Sequence, residues 1–331
     1  MDSAVIEIEK TAAYIASYEN KAEVDFEHCV TDHLRVSGIY WGLNALCLMG
    51  MPDRLNRAAT VAYIRDCQQP NGGFAGALGH DATMLHTYSA IQVLLLEKSL
   101  RSTDGTMADT IDIAGVIRYV AGLQQPDGSF ACDEWGERDT RATYCAIATL
   151  YLLNGLDSIK VDAAVAHLMR CQNWDFGFGS VPDTESHAGQ IFCCLATLAI
   201  LNRLSQLDQR AQQQLSDWLV ERQRDSGGLN GRPGKIHDAC YAWWTLASLA
   251  ILDPSGWKSR INLEGACQYL ISTQNRSTGG LAPRPNERAD VFHTHFAIAG
   301  LALLGHASIQ AVDARFCLPT LALQQYLSQT P

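Results

Sequence analysis

Five stretches of the chain are apolar on nearly every helical face: Thr87–Leu95, Thr143–Leu150, Gln190–Thr197, Tyr241–Ser248 and Thr294–Leu301. A helix with no polar side has nothing to give to water, so these stretches predict buried helices. A second kind of segment alternates with them. Arg57–Arg65 and Ile113–Val120 confine their polar residues to one face and predict amphipathic outer helices. Arg35–Leu43 reads as one more inner helix, which makes about six inner helices and a similar number of outer ones.

A repeated phrase rich in Gln and Gly separates each outer helix from the inner helix that follows. The copies lie near residues 67–76, 123–131, 171–180, 222–231 and 273–282. Their shared glutamines are Gln68, Gln124, Gln172, Gln223 and Gln274, spaced by 56, 48, 51 and 51 residues. A period near fifty residues means one supersecondary unit reused, which must stack or close on its neighbours to bury its apolar face. The glycines allow positive φ where the chain reverses. Inner helices this apolar would leave a wet face in an open solenoid. The expectation is therefore a single all-α domain over residues 1–331, closed as a ring of inner helices sheathed by outer ones.

Composition narrows the function. With 47% hydrophobic residues and a formal net charge of −10, the chain can bury a large core and is a poor partner for nucleic acid. The N-terminus has no basic segment before an apolar core, and no apolar run approaches the length of a membrane span. Eleven cysteines without a C-x-x-C pair suit reduced thiols and a cytoplasmic location.

Registering the inner helices on one another puts Asp139, His187, Asp238 and Asp290 at one position, and so on one rim of a ring. Arg141, Arg232, Lys235, His237, Cys240, Tyr241 and His293 lie near them. An apolar, aromatic lumen with a cationic mouth suits an amphiphilic anion. Asp238, Cys240 and His293 make a three-ligand metal candidate with an open position; equally, Asp238 is a helix cap, Cys240 core and His293 a satisfied helix histidine. Arg232 and Lys235, held in a Pro/Gly loop with His187 and Tyr241 nearby, suit a phosphate or diphosphate, or else are ordinary surface charges. Tyr40, Trp41, Tyr88, Tyr144, Phe192, Trp243, Trp244 and Phe292 fall on inner helices, where an aromatic stripe is core, lumen wall or both.

Gly227–Lys235, then Asp238-x-Cys240-Tyr241 and Trp243-Trp244, together with Ser186–Gln190 and Phe292-His293-Thr294, resemble the β subunits of protein prenyltransferases. The resemblance runs from Ala13 to Pro319. Within that family, Leu34–Gly42 and the compact length resemble the type II branch, which geranylgeranylates Rab GTPases. The resemblance implies an α6–α6 barrel and a zinc ion held by Asp238, Cys240 and His293. It implies a geranylgeranyl diphosphate whose diphosphate meets His187, Arg232, Lys235 and Tyr241. It extends the substrate-binding set to Ala188, Gly189, Ala242, Trp243, Trp244, Ser37, Tyr88 and Arg141. It also implies an obligate α subunit and delivery of Rab by an escort protein.

Two residues depart from the family pattern. Ser37 matches the small residue that deepens the pocket for the longer donor, but Tyr88 stands where the type II enzyme has leucine. Pro283 stands where the farnesyl enzyme has an aspartate that binds magnesium. The alternatives are a farnesyl or type I β subunit, or a non-catalytic α/α-barrel binding domain, which would not need the metal trio. A terpene cyclase would carry an Asp-x-Asp-Asp motif, which is missing.

Because a proline side chain cannot ligate magnesium, the chemical step is expected to depend weakly or not at all on Mg²⁺. A steep magnesium requirement in single-turnover assays would refute this.

Overall fold

The computed structural model describes residues 5–18, 31–100 and 110–329. Within them thirteen α-helices run in chain order. Of the first twelve, the odd-numbered ones form the sheath: α1 (Ile8–Ala16), α3 (Arg57–Asp66), α5 (Ile113–Gly122), α7 (Val161–Arg170), α9 (Gln209–Val220) and α11 (Leu263–Ser272). The even-numbered ones form the inner ring: α2 (Arg35–Leu48), α4 (Met84–Leu96), α6 (Thr140–Leu152), α8 (Ala188–Ile200), α10 (Cys240–Leu252) and α12 (Val291–Leu304). Each inner helix packs on the next, and α12 returns to α2. The ring is closed, as the all-apolar inner helices require. A last helix, α13 (Thr320–Ser328), follows a hairpin of β3 (Val312–Asp313) and β4 (Leu318–Pro319). A first short hairpin joins β1 (Phe74–Ala75) to β2 (Ala82–Thr83).

The first N–H of an α-helix has no partner inside the helix. Here it is given to the neighbouring repeat. Val36 N, Met84 N, Thr140 N, Ala188 N and Ala239 N donate to the carbonyls of Gly76, Cys132, Ser180, Gly231 and Pro283, at 2.7–2.9 Å. Each bond joins the start of one inner helix to the loop before the next. The cap side chains are local: Thr83, Asp139, His187 and Asp290 accept from the first turn of α4, α6, α8 and α12. Thr83 shares the register of the charged rim residues, and its hydroxyl caps α4 as the carboxylates cap α6 and α12.

The repeated glutamine has an equally concrete task. Gln68 Nε2 donates to Asp112 O (3.0 Å) and Gln68 Oε1 accepts from Asp112 N (2.9 Å), fastening the turn to the start of α5. Gln124 holds Lys160 before α7 in the same two-way fashion, and Gln223 holds Asn262 before α11. Gln274 reaches the N-terminal helix, accepting from Glu7 N (3.0 Å) and donating to Thr11 Oγ1 (2.8 Å), so the last repeat is sewn to the first. Close approach of backbones makes this possible. Gly72 has φ +95°, and a Cβ there would overlap Gly115 O of α5. The third repeat breaks the rule. Phe176 takes the glycine position at φ +66°. Gln172 there donates only to Phe176 O and makes no bond to the start of α9.

Counting along the inner helices shows layers. The residues five beyond the rim position are Tyr88, Tyr144, Phe192, Trp243 and His295, with Tyr40 in the matching place on α2. They form an aromatic belt. Edge-on contacts run Tyr88–Tyr144–Phe192–Trp243 at 5.3–5.8 Å and Tyr40–His295 at 5.2 Å. About one turn deeper stand Asn44, Gln92 and four alanines, Ala148, Ala196, Ala247 and Ala299. The space left by small side chains is filled by the C-terminal segment. Its carbonyls accept from Tyr144 (Arg315 O, 2.8 Å), Gln92 (Phe316 O, 3.0 Å) and Asn44 (Cys317 O, 2.5 Å), and Phe316 is fully buried. One end of the lumen therefore has a floor, while the rim lies at the other end.

Substituting Gln274 by Leu removes several bonds to buried backbone and side-chain groups, so it should cost about 2–3 kcal/mol of stability. Gln172→Leu, in the repeat without a clasp, should cost under about 1 kcal/mol. Denaturant unfolding midpoints of the two variants, at unchanged slope, test the difference.

Candidate active site

Asp238, Cys240 and His293 converge where α10 and α12 begin. One potential ligand atom from each lies within 4.8 Å of the others. Asp238 N donates to Leu229 O (3.0 Å) and Asp290 N to Leu281 O (3.3 Å), so each approach segment runs back along its own glycine turn. Asp238 Oδ1 accepts from Cys240 N (3.0 Å) and lies 3.3 Å from His293 Nε2. Asp290 divides its carboxylate between two tasks. Oδ1 caps α12 through His293 N (2.8 Å), and Oδ2 sits 2.6 Å from His293 Nδ1. That holds the ring proton on Nδ1 and turns Nε2 to Asp238 and Cys240, the arrangement usual behind a metal-bound imidazole. Sequence reasoning put Asp290 on the rim without seeing this role; an Asp cap three residues before a candidate ligand was the signal.

The electrostatics show a set that wants a cation. Burial and the adjacent Asp238 carboxylate push the Cys240 thiol far above its usual range. Burial alone would lower His293, but Asp238 and Asp290 together raise it to about 9. Asp238 is pushed up by burial, yet bonding to His293 and Cys240 brings it below the ordinary carboxylate range. One sulfur, one imidazole nitrogen and one carboxylate with an open side fit a tetrahedral divalent ion such as zinc. Such an ion would replace the protons now shared among them.

The second group stands one helix away. His187 Nδ1 accepts from Gly189 N (3.1 Å), which leaves the Nε2 proton for the Tyr241 hydroxyl at 3.2 Å. Burial and then Arg232 hold the imidazole below its ordinary pKa, so it is neutral at pH 7. Burial keeps the Tyr241 phenol protonated. Gly231 packs directly on the Tyr241 ring, where a Cβ would overlap it, and its carbonyl takes Ala188 N (2.8 Å). The buried Asn230 donates to Lys235 O (2.9 Å) and closes the Arg232–Lys235 loop. Lys235 is exposed, and Arg232 pairs with Glu185, a partner that sequence reasoning did not name.

The remaining candidates separate. Trp244 is half-buried and meets Tyr241 (5.3 Å) and Phe296 (5.2 Å), while Trp41 meets Phe292 (5.0 Å). At the register of Trp41, Trp244 and Phe296, helices α4, α6 and α8 carry Ser89, Cys145 and Cys193. The lumen is therefore bulky on one side and spare on the other. Trp243 is wholly buried in the belt. Ala242 packs on Gly300 of α12. Ser37 faces Ser89 (Oγ–Oγ 3.2 Å), and Tyr88 is tied to Tyr144 (3.2 Å) and Phe316 O (3.5 Å) at the floor. Arg141 lies at the start of α6, the neighbour of α8 in the ring. It pairs with Asp139 (3.0 Å) beside a cleft of about 170 Å³ between α4 and α6. Pro283 contributes its carbonyl, which accepts from Ala239 N (2.9 Å) and Tyr269 OH (3.2 Å). Arg284, next to it, is paired with Glu287 at 2.7 Å.

Comparison with known proteins agrees with this architecture. Residues 6–318 match the prenyltransferase alpha-alpha toroid domain. The chain is 40% identical over 318 residues to the geranylgeranyl transferase type-2 subunit beta of Saccharomyces cerevisiae, covering 94% of this chain and 93% of that protein. It is 42% identical over 311 residues to geranylgeranyl transferase type-2 subunit beta 1 of Arabidopsis thaliana, covering 94% and 92%. The fold is similar to that of Candida albicans protein geranylgeranyltransferase-I complexed with GGPP, with a TM-score of 0.85 at 22% identity over 98% of this chain and 99% of that one. No helix among the described residues is long and apolar enough to cross a membrane.

Proposed function

The chain belongs to the prenyltransferase alpha-alpha toroid family, and on that premise we propose that it is the catalytic β subunit of a type II protein geranylgeranyltransferase. The reaction moves a geranylgeranyl group from its diphosphate to C-terminal cysteines of Rab GTPases. The observation that carries this reading is the convergence of Asp238, Cys240 and His293 beside the His187–Tyr241 pair at the mouth of the barrel.

Asp238, Cys240 and His293 would hold one zinc ion, with Asp290 orienting the imidazole. Bound zinc supplies a Lewis acid that makes the acceptor thiol, with pKa about 8.5 when free, a thiolate at neutral pH. The sulfur–C1 bond forms as the C1–oxygen bond breaks, and the diphosphate leaves with its electron pair. His187 Nε2–H, the Tyr241 hydroxyl, Arg232 and Lys235 are donors placed to receive the charge that builds on it. Arg232 must exchange Glu185 for the diphosphate, and its planar fork suits bidentate contact with either. The tail would lie along the spare side of the lumen, past Ser89, Cys145 and Cys193. Each buried CH₂ contributes roughly 0.8 kcal/mol. Arg141, on the same rim at the start of α6, would be available to an incoming peptide.

The family reading also brings an α subunit as obligate partner, an escort protein that presents Rab, and a cytoplasmic setting. Two prenyl groups per acceptor would make a stable membrane anchor where one chain is marginal. Pro283 offers only a carbonyl already engaged, which fits chemistry without a bound magnesium at that position.

Two measurements test the proposal. The chain, purified with its α partner, should contain one zinc per β subunit, and Cys240→Ala should lose most of it. Active wild-type protein without zinc would sink the reading. Tyr88, locked into the floor by Tyr144 and Phe316, favours a second reading in which the lumen suits a shorter donor. Competition between geranylgeranyl and farnesyl diphosphate decides it. We expect preference for the longer donor, and a reversed preference would make the chain a farnesyltransferase β subunit.

A further inference from the structure

We propose that Tyr14 and Tyr269, on the outer helices α1 and α11, are positioning residues for the metal-ligand trio. The inference rests on the reading that Asp238, Cys240 and His293 hold zinc.

Neither tyrosine is hydrogen-bonded to a ligand side chain. Each donates to a main-chain carbonyl that sets where a ligand segment lies. Tyr269 OH donates to Pro283 O (3.2 Å), and the same carbonyl accepts from Ala239 N (2.9 Å). Ala239 stands between Asp238 and Cys240. That one oxygen therefore joins the two-ligand segment of the fourth repeat to the loop of the fifth, which leads to His293. His237, immediately before Asp238, lies edge-on to the Tyr269 ring at 5.0 Å. Tyr14 OH donates to Ala289 O (2.9 Å), the residue before Asp290, whose carboxylate holds His293 Nδ1 at 2.6 Å. The rings themselves are seated on glycines, Tyr269 on Gly228 and Tyr14 on Gly280, where a Cβ would overlap them. Removing a hydroxyl therefore leaves the ring packing in place and deletes only its hydrogen bonds, which for Tyr14 include one with Tyr18 OH (2.8 Å).

The repeat supplies its own control. Tyr119 of α5 makes the bond that Tyr14 makes, to the residue before a rim position, here Ala82 O (2.9 Å), with its ring on Gly73. The rim residue after Ala82 is Thr83, and no metal ligand follows. A purely structural role would leave zinc affinity equally indifferent to all three hydroxyls, whereas a positioning role separates Tyr14 and Tyr269 from Tyr119.

The experiment uses the chain with its α partner and measures zinc affinity by chelator competition. Thiolate-to-metal absorption of the cobalt(II) form is recorded alongside. Tyr14→Phe and Tyr269→Phe should each weaken zinc binding roughly three- to tenfold and alter the cobalt bands. Tyr119→Phe should stay within about twofold of wild type at a comparable loss of thermal stability. Asp290→Asn sets the upper end of the scale, at roughly 10- to 100-fold. Equal zinc affinity in all three tyrosine variants, whether unchanged or uniformly weakened, would overturn the proposal. Wild-type protein with no Cys240-dependent zinc would instead overturn the underlying site reading, a result visible before any tyrosine is changed.

Discussion

The backbone N–H groups at the starts of the inner helices, five of the six of which find a partner in the next repeat, are the constraint on which the molecule is built. A buried backbone donor without a partner is costly. Here the partner is a carbonyl of the following repeat, from Val36–Gly76 round to Ala239–Pro283. These bonds place five inner-helix starts at one height, and so create the rim. The glutamine clasps do the same for the outer layer, and Gln274 with Glu7 closes it. The chemistry is then a consequence of position: whatever residue sits at the start of an inner helix is presented at the mouth.

Function has entered where the repeat is allowed to differ. The rim position reads Thr83, Asp139, His187, Asp238 and Asp290, and all of them serve backbone donors near a helix start. Only in the last two repeats does a neighbouring pair, Cys240 and His293, turn the cap into a ligand set. The same economy shows one layer deeper. Bulky Trp41, Trp244 and Phe296 face small Ser89, Cys145 and Cys193 across the lumen, so a long apolar chain has one side to follow. Below the belt, the alanine layer admits the C-terminal segment, whose carbonyls are satisfied by Asn44, Gln92 and Tyr144.

The two polar clusters at the mouth differ in charge. In the Asp238–Cys240–His293 trio, burial and then the Asp238 carboxylate raise Cys240, while, against the effect of burial, Asp238 and Asp290 raise His293. The His187–Tyr241 pair is neutral and donor-rich, flanked by Arg232 and Lys235. A cation on one side and an anion on the other can therefore be bound a helix apart without a change of fold. Glu185 keeps the guanidinium of Arg232 paired.

Much of this was legible in the chain. All-apolar stretches predict inner helices because a helix without a polar face has nowhere else to go. A fifty-residue period predicts equivalent positions, and Asp238, Cys240, His293, His187, Arg232, Lys235 and Tyr241 follow from asking which repeats differ. What stayed hidden depends on partners distant in sequence. Gln274 meets Glu7, Arg232 meets Glu185, and Tyr14 meets Ala289 only once the ring has closed. Arg141 shares the rim of His187 by register, yet closure puts it across the lumen from the metal trio. The role of Asp290 depends on a side-chain direction, and Tyr88 becomes part of a floor only because the C-terminal segment returns beneath it. Periodicity specifies which residues share a height; closure of the ring alone decides which of them face one another.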